Sequence, residues 1–404
     1  MRALTFSWDY PPVRNGGLGV ACYGLTRELI NHGVEVILVL PKSQPTSGPP
    51  RFIFADTEHN VRVYEVPSAI APYQGSQSVR TVYDASGRVV VSQHTMLEAI
   101  HRYANRAAAI AAQEEFDVIH AHDWTSYLAG VAAKRVSGKP LVLHVHATAF
   151  DQAASDNIDP AQYEIEQAGF AAADRIITVS HFTKNILTTK YGVDPARQYV
   201  VHNGCDTHEP PRYEPTLQEL KAQGKHIVLY HGRITIQKGV DYFVHAARRV
   251  VDEDPSVVFV ISGWGDMTNQ IIEQVGRLGL SQHILFAGAL WEEERDRMYQ
   301  SVDLVVMPSV SEPFGLIPLE AMQHGTPSLI SKQSGVGEVM KHVLKVDFWD
   351  VDEMANKILS TLRYRVMQQQ LVSEGKQELQ KFSWRDAATK VYQLYRSLVQ
   401  LLTP

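Results

Sequence analysis

Short runs of Val, Ile, Leu and Phe alternate with longer stretches of helical periodicity along most of the chain. Runs of this length are typical of strands buried on both faces, and parallel strands need helical crossovers between them. The alternation therefore predicts an α/β fold made of doubly wound, Rossmann-like parallel sheets. The strands predicted in the first half are 2–8, 34–40, 61–66, 117–120, 140–146, 175–179 and 199–202.

The same alternation starts again near residue 225, after a polar, proline-rich stretch at 209–216 that fits neither periodicity. At 404 residues the chain is also too long for one ordinary α/β domain. We therefore predict an N-terminal domain at 1–205, a linker at 206–224 and a C-terminal domain at 225–381. The strands predicted in the second domain are 226–231, 257–262, 284–286, 304–307 and 326–330.

The last segment, 382–404, carries apolar residues at helical spacing, among them Trp384, Val391 and Tyr395. A helix with one apolar face needs a surface to cover. We predict that this helix packs back toward the N-terminal domain across the interdomain hinge.

Composition narrows the choice of partners and compartment. A formal net charge of −6 gives no sign of a polyphosphate-binding surface, so nucleic acid is not a predicted partner. No apolar run reaches the roughly 18–20 residues that span a bilayer, and the N-terminus is not a signal peptide, so we expect a cytoplasmic protein without an integral membrane segment. Cys22 and Cys205 form neither a disulfide framework nor a zinc motif. The sequence leaves open whether the protein forms a homo-oligomer.

The first candidate motif is the glycine-rich loop from Arg14 to Gly19, between the first strand and the first helix. Glycines let the backbone approach an anion closely, and the N-terminus of a helix favours a phosphate. The loop matches neither GxGxxG nor a Walker loop, so a plain glycine-rich turn is the alternative.

The second motif places Arg233 and Lys238 directly after the first strand of the second half. Ligands of open parallel sheets bind beyond the carboxyl ends of the strands. Two cations five residues apart at such an end can flank one diphosphate, with Arg as a planar fork and Lys as a mobile point charge. Solvated surface charges are the alternative.

The third motif is the segment 311–320, which follows an apolar strand. Glu312 is predicted in a loop, Gly315 and Leu316 at the start of a helix whose N–H groups can hold a phosphate, and Glu320 further along that helix. Two carboxylates near a phosphate site suit the hydroxyls of a sugar and a ribose. A glycosidase-like acid and nucleophile pair is the competing chemistry, and helix-capping acids are the structural alternative.

The fourth feature is a pair of histidine clusters at strand ends, His120 and His122 in the first and His144 and His146 in the second. A structural role is left open for each of the first three. Two histidine pairs suggest a metal, but no compact set of ligands with carboxylates accompanies them, so no metal site is predicted. The acidic residues at 350 and 352 are interpreted as helix caps.

These motifs resemble the family-four retaining glycosyltransferases and, within the wider clan, the bacterial and archaeal glycogen and starch synthases. The most specific part is Glu-x7-Glu, from Glu312 to Glu320, together with Arg233 and Lys238. The resemblance covers nearly the whole chain. Supporting matches are SGWGD at 262–266, ADRIITVS at 173–180, VHNGCD at 201–206, GGLG at 16–19 and HDW at 122–124.

The resemblance implies a GT-B fold, in which two Rossmann-like domains face an interdomain cleft. It also implies a set of donor-side roles. Arg233 and Lys238 would neutralise the leaving diphosphate, Glu312 would hold the transferred sugar near its 3-hydroxyl, and Glu320 would hold the ribose. The further residues that the resemblance places on the donor nucleotide and its phosphates are Gly17, Gly265, Gly315 and Leu316.

On the other side of the cleft, the resemblance makes His146 the active-site histidine, in contact with the donor sugar near its 6-hydroxyl. Which of His144 and His146 faces the site stays open. His122 and Asp123 would line the acceptor side, with Arg14 where the glycogen synthase branch usually carries Lys. The implied catalytic set is therefore His146, Arg233, Lys238 and Glu312.

The implied activity is transfer of a hexose, most simply glucose, from a nucleotide diphosphate sugar to an α-1,4-glucan, without a cofactor or metal. Partners would be the nucleotide sugar and a carbohydrate acceptor, and ADP-, UDP- and GDP-linked donors all stay open. Sucrose-phosphate synthase-like, maltose-1-phosphate synthase-like and mannosyl transfer share the same donor machinery. A nucleotide-sugar epimerase or a non-catalytic binder is the alternative of a different class.

Overall fold

The computed structural model describes residues 1–10, 16–41, 61–65, 80–83, 89–92, 96–206 and 213–400. Two parallel sheets organise these residues, with strand order β3-β2-β1-β6-β7-β8-β9 in the first and β12-β11-β10-β13-β14-β15 in the second. The strands of the first sheet are β1 (Arg2–Phe6), β2 (Glu35–Leu40), β3 (Val61–Glu65), β6 (Val118–His122), β7 (Leu141–Val145), β8 (Arg175–Thr178) and β9 (Gln198–Val200).

The second sheet lies C-terminal to the first in sequence. Its strands are β10 (His226–His231), β11 (Val257–Ser262), β12 (Ile284–Gly288), β13 (Leu304–Met307), β14 (Ser328–Ser331) and β15 (Leu344–Val346). A separate antiparallel hairpin joins β4 (Arg80–Tyr83) to β5 (Val89–Ser92). Both sheets reverse strand order beside their first strand, β1 or β10, which is the doubly wound pattern that the alternation predicted.

Helices cover the sheets. In chain order they are α1 (Gly17–Asn31), α2 (Met96–Ala111), α3 (Trp124–Ser137), α4 (Ala149–Ala153), α5 (Pro160–Ala172), α6 (His181–Tyr191), α7 (Pro215–Ala222), α8 (Val240–Glu253), α9 (Thr268–Arg277), α10 (Glu292–Ser301), α11 (Ile317–Gln323), α12 (Val351–Arg363), α13 (Arg365–Leu379) and α14 (Trp384–Gln400).

Burial follows the sequence pattern closely. The central strands β6, β7, β11 and β13 are buried at every position, because helices lie on both of their faces. Helix α8 buries one apolar stripe that includes Phe243, Val244 and Val250 in the core of the second domain. The first domain has its own core around Phe6, Tyr103 and other residues of β1 and α2.

The predicted strands are present, and the bounds of all but β10, β11 and β13 differ by one or two residues. The strand predicted at 2–8 ends at Phe6, where Ser7 turns its hydroxyl onto the carbonyl of Asp9 at 3.0 Å. Strand β14 begins at Ser328 rather than at residue 326, after Pro327, which has no N–H for a ladder. The three-residue strand β15 and the β4–β5 hairpin were not predicted.

A helix lies inside the stretch predicted as a linker at 206–224. Pro215 starts α7, where its missing N–H costs nothing, and Leu217 is buried against β10 and its neighbours. The proline-rich composition thus concealed a short helix that packs on the second domain.

The C-terminal helix α14 lies against α1 of the first domain. Its Trp384 sits where a Cβ on Gly24 would come within 2.4 Å of the indole, and where one on Gly204 would come within 2.2 Å of the Trp384 nitrogen. His32, the residue directly after α1, bonds the Thr389 hydroxyl at 2.9 Å, and Cys205 donates its N–H to the Phe382 carbonyl at 3.1 Å. The chain therefore returns to the N-terminal domain after completing the second sheet.

None of the helices in the described part of the chain combines the length and apolar character that crossing a membrane requires.

Candidate active site

The loop after β10 carries Arg233 and Lys238 over the carboxyl end of the second sheet. A short 3₁₀ turn at Ile236–Lys238 is followed by Gly239, whose φ of 63° lies in the left-handed region. A Cβ at Gly239 would also lie 2.1 Å from the carbonyl oxygen of Pro308. Glycine at this position therefore lets the loop after β10 pack on the loop after β13.

That packing brings Lys238 and Glu312 together. The Nζ of Lys238 lies 2.7 Å from Oε2 of Glu312, and the Ser309 hydroxyl donates to the same oxygen at 3.0 Å. Glu312 is 8% exposed, so the pair is shielded from water more than a surface ion pair. The sequence analysis assigns Lys238 to the diphosphate of the donor and Glu312 to its sugar. In the structure these two side chains contact each other.

Gln237 is a site residue that the sequence reasoning missed. Its side-chain oxygen accepts from Nη2 of Arg233 at 3.1 Å, and its Nε2 donates to the carbonyl of Ser311 at 3.1 Å. Gln237 is buried and links the arginine to the loop that holds Glu312. The sequence feature that could have indicated Gln237 is its position between Arg233 and Lys238.

The segment from Glu312 to Leu316 is held by its own backbone. Glu312 donates its N–H to Gln333, and its carbonyl accepts from Gly335, at 2.9 Å each. Gly315 has a φ of 98°, and a Cβ there would come within 2.8 Å of the Met307 side chain. A glycine is therefore required where the loop turns into α11.

Glu320 lies on α11 with partners of its own. The Tyr299 hydroxyl donates to Oε2 at 3.1 Å, and Nη1 of Arg295 donates to Oε1 at 3.4 Å. These two residues, both on α10, were not predicted. They hold the carboxylate that the resemblance assigns to the ribose.

The glycines of the SGWGD motif serve the loop that carries Arg233. A Cβ on Gly263 would lie 1.9 Å from the carbonyl oxygen of Gly232, and one on Gly265 would lie 2.2 Å from that of Ile234. The N–H of Gly265 donates to the Thr268 hydroxyl at 2.9 Å. A phosphate contact at Gly265 stays a prediction, beside this packing role.

The N-terminal domain contributes His122, Asp123 and His146 at the ends of β6 and β7. Nδ1 of His122 lies 3.0 Å from Nε2 of His146, and Oδ1 of Asp123 accepts the N–H groups of His146 and Ala147 at 3.1 and 3.2 Å. Asp123 has a φ of 62°, which is strained for a residue with a side chain. The structure thus brings all three predicted residues together.

Electrostatic interactions connect the two sides of the site. Burial raises the pKa of Asp123 to about 7, while backbone N–H groups and the charge of Arg233 act in the opposite direction. Burial lowers the pKa of His146 to about 3. The ring of His146 is therefore neutral at physiological pH.

The two domains also touch directly at the site. The Ser311 hydroxyl donates to Oδ1 of Asp151 in α4 at 2.5 Å, and the Ser180 hydroxyl donates to the Pro313 carbonyl at 2.5 Å. A Cβ on Gly17 at the start of α1 would lie 3.8 Å from Leu316. Gly17 and the loop after β13 therefore lie close to each other where the two domains meet. Arg14 lies outside the described residues.

Glu338 of the second domain binds the N-terminus of helix α6 in the first domain. Its carboxylate accepts the backbone N–H groups of His181 and Phe182 at the start of α6, at 2.9 and 2.6 Å, and Nε2 of His202 lies 3.1 Å away. Burial alone would raise the pKa of Glu338, but these bonds hold it below its usual range.

We expect Glu338→Gln to lower the free energy of unfolding by about 1–2 kcal/mol, because it removes a charge from a helix N-terminus and leaves one acceptor oxygen. Urea unfolding measures the effect. Glu353→Gln on α12, where the ion pair with Lys357 is partly exposed to water, is the matched control and should change stability little. Equal losses in both variants would contradict the interdomain role.

Glu166 of α5 buries its carboxylate against the start of α4. It accepts from the N–H of Ala149 at 3.1 Å, from Nε2 of Gln162 at 2.9 Å and from the Tyr191 hydroxyl. Burial raises the pKa of Glu166 to about 8, against these hydrogen bonds. The folded chain therefore keeps a proton that the unfolded chain releases near its ordinary pKa of about 4.3.

Because the pKa is raised on folding, the stability from this group is present at low pH and is lost as the pH rises toward 8. At about 1.4 kcal/mol per unit, the loss is up to about 5 kcal/mol. We expect Glu166→Gln to flatten the fall in unfolding free energy between about pH 5 and about pH 8. Glu164→Gln, on the exposed face of α5, should leave the wild-type slope. A wild-type slope in Glu166→Gln would refute this assignment.

Comparison with known proteins places both halves of the chain in described families. Residues 15–209 match the model "Glycosyltransferase Family 4", and residues 216–378 match "Glycosyl transferases group 1". A glycogen synthase of Mycobacterium tuberculosis is 28% identical over 98% of this chain and 94% of its own. An alpha-maltose-1-phosphate synthase of Mycolicibacterium smegmatis is 29% identical over 98% of this chain and 100% of its own.

Among solved structures, the sucrose-phosphate synthase of Thermosynechococcus elongatus superposes with a TM-score of 0.77 over 99% of each chain. The two sequences are 20% identical, so this likeness describes the fold. It agrees with the two facing Rossmann-like domains described above, and the α/β fold with GT-B architecture that the resemblance implied is confirmed.

Proposed function

The chain belongs to the family-four glycosyltransferases of GT-B architecture, and from that membership we propose that it is a metal-independent, retaining hexosyltransferase. The donor in this proposal is ADP-glucose or UDP-glucose, and the acceptor is the end of an α-1,4-glucan. The relatives that carry glycogen synthase and maltose-1-phosphate synthase names favour glucose as the transferred sugar.

The observation that carries the proposal is the pairing of Lys238 with Glu312, beside Arg233 and Gln237, at the carboxyl end of the second sheet. Departure of the nucleotide diphosphate leaves an oxocarbenium-like sugar and a negative phosphate. Fixed cations at the phosphate therefore stabilise the transition state, without the reorganisation that water would need. In this role Lys238 and Arg233 supply the charge that a divalent ion supplies in other transferases.

Retention of the anomeric configuration follows from attack on the face that the diphosphate leaves, with the proton passing to the leaving phosphate. The bond between the anomeric carbon and the diphosphate breaks, and the acceptor oxygen attacks from the same face. The leaving phosphate oxygen accepts the proton of the acceptor hydroxyl, so no protein nucleophile is needed. Glu312 would orient the sugar through its 3-hydroxyl and His146 through its 6-hydroxyl, while Glu320 would hold the ribose. His122 and Asp123 would line the acceptor side.

The test is acceptor-dependent release of nucleotide from ADP-glucose, UDP-glucose and GDP-mannose in the presence of EDTA. Glycogen, fructose 6-phosphate and glucose 1-phosphate serve as acceptors, and NMR of the product gives its anomeric configuration. We expect glycogen-stimulated release, an α-linked product and no loss with EDTA. Arg233→Ala should lose activity, whereas Arg249→Ala, in an exposed ion pair with Asp352, should not.

Other outcomes redirect the proposal. Stimulation by a sugar phosphate alone would replace the glucan acceptor, and a GDP-mannose preference would replace glucose. An inverted product, or a loss of activity with EDTA that Mg²⁺ restores, would contradict the mechanism. Tight nucleotide binding without release from any donor would favour an epimerase or a non-catalytic binder.

A further inference from the structure

Three histidine rings are stacked on one face of the first sheet. His120 and His122 lie two residues apart on β6, and the pairing register sets His122 opposite His144 on β7. The ring centroids of His120 and His122 are 4.2 Å apart, and that of His144 lies 5.4 Å from His120 and 5.1 Å from His122. All three side chains are at most 2% exposed.

The three side chains bring potential metal-binding nitrogens close together. One ring nitrogen from each of His120, His122 and His144 lies within 4.8 Å of the other two. The Nε2 of His120 and both nitrogens of His144 are buried without a hydrogen-bond partner among the described residues. A buried polar atom without a partner costs about 1–3 kcal/mol, so a cluster of them requires an explanation.

The Nδ1 atoms of His120 and His122 already have partners, which leaves the Nε2 atoms of these two rings available to an ion. Nδ1 of His120 is 2.5 Å from the Tyr395 hydroxyl on α14, and Nδ1 of His122 is 3.0 Å from Nε2 of His146. Metal-binding histidines are oriented in this way, since a second-shell partner fixes the ring and its tautomer while the other nitrogen binds the ion.

We propose that His120, His122 and His144 form a binding site for a divalent transition-metal ion of the Zn²⁺ type. Imidazole nitrogens suit Zn²⁺, and three of them with one further ligand make a common zinc coordination set. The site is separate from Arg233 and Lys238, so it does not rest on the proposed transfer reaction. It departs from the sequence prediction, in which no metal site was expected.

A second grouping, Cys22 with His122 and His146, also brings three ligand atoms within 4.8 Å. In that set Nε2 of His146 is already hydrogen-bonded to His122, and Sγ of Cys22 already accepts from the Ser7 hydroxyl at 3.2 Å. An ion on Nε2 of His146 would break its contact with His122. The three-histidine set keeps that contact, which is why the ion is assigned to it.

Metal binding at this site has a consequence for the cleft. An ion on Nε2 of His122 leaves the proton on Nδ1, so His122 then donates to Nε2 of His146. The tautomer of His146 is thereby fixed, with its remaining proton on Nδ1. Metal occupancy would set the hydrogen-bonding character of a residue in the candidate active site.

The experiment is titration of the full-length chain with Co²⁺ after treatment with EDTA, followed by visible absorption, with Zn²⁺ competition as a second readout. We expect one ion per chain and the visible bands of a four- or five-coordinate Co²⁺ site. His144→Leu and His120→Asn should abolish the bands. Tyr395→Phe, which removes only the second-shell hydroxyl, should weaken affinity by about 10–100-fold.

Two controls identify the ligands. Cys22→Ser and the exposed surface variant His245→Asn should keep the wild-type bands and affinity. Circular dichroism verifies that each variant is folded. If the histidine variants do not fold, Tyr395→Phe supplies the test, because it keeps the buried ring; an unchanged affinity there overturns the proposal.

Three further results would overturn the assignment. They are the absence of Co²⁺ binding to the wild-type chain, binding that persists in folded His144→Leu, and a sulfur-to-metal charge-transfer band that disappears in Cys22→Ser. The last of these would move the ion to the second grouping.

Discussion

Lys238→Ala is expected to lower kcat for sugar transfer by about 10²–10³-fold, equivalent to about 3–4 kcal/mol of transition-state stabilisation. The reason is positional. The Nζ of Lys238 is held 2.7 Å from Glu312 by a turn that depends on Gly239, so the charge stands in place before the phosphate departs. Its loss should reduce kcat and kcat/KM together, since the leaving charge develops in the transition state. Steady-state nucleotide release with saturating acceptor measures the effect.

Lys332→Ala is the matched control for Lys238. Its Nζ also bonds a carboxylate, that of Asp347 at 2.8 Å, but the side chain is exposed and lies outside the candidate site. We expect kcat to stay at the wild-type value in this variant. A rise in KM with unchanged kcat in Lys238→Ala would mean that the residue binds the ground state and the transition state equally, and would contradict the charge-neutralising role.

Trp384→Ala is expected to lower the free energy of unfolding of the N-terminal domain by about 3–5 kcal/mol, the range for truncating a buried tryptophan. The indole is 3% exposed and fills the space left by Gly24 on α1, where a Cβ would come within 2.4 Å of the ring. Because α14 is anchored at this point, the loss should also loosen the rest of the helix from α1. Urea unfolding followed by circular dichroism measures the change.

Trp349→Ala provides the comparison, since this tryptophan is 57% exposed and its ring meets Phe348 edge-on. Its replacement should cost less than about 1 kcal/mol. Similar costs for the two tryptophans would show that the contact between α14 and α1 contributes little to stability.

Most of the fold could be predicted because buried parallel strands leave a strong local signal. Strands β10, β11 and β13 have the bounds that their apolar runs predicted. Strand β15 was missed because three residues, one of them a lysine, are too few for periodicity to detect. Helix α7 was missed because the prolines and acidic residues at 209–215 look like loop composition, although a proline at the first position suits a helix.

The candidate-site residues that could be predicted are those that lie in a short segment directly after a strand. Arg233, Lys238 and Glu312 follow strands directly, so strand prediction already sets them at one edge of the sheet. The partners that hold those residues come from elsewhere. Glu338 contacts α6 from the other domain, and Arg295 reaches Glu320 from α10. Such contacts between distant segments leave no mark in a local sequence pattern.

The cluster of His120, His122 and His144 is a second feature that local sequence patterns could not predict. Spacing alone put His120 and His122 on one face of a strand. Whether His144 would join them depended on the register between β6 and β7, and a shift of one residue would have turned it to the opposite face. Register is a tertiary property, so the compact ligand set became visible only in the structure.

The contact between α14 and α1 also determines the order in which this protein can be made. Domains fold as units during synthesis, N-terminal first, but the first domain here includes a helix that ends at Gln400. A ribosome adding roughly 5–20 residues per second needs about 10–40 s to pass from the end of the first domain to that helix. During this interval the face of α1 around Gly24 is open to water and to other nascent chains. The domain that emerges from the ribosome first is thus completed last.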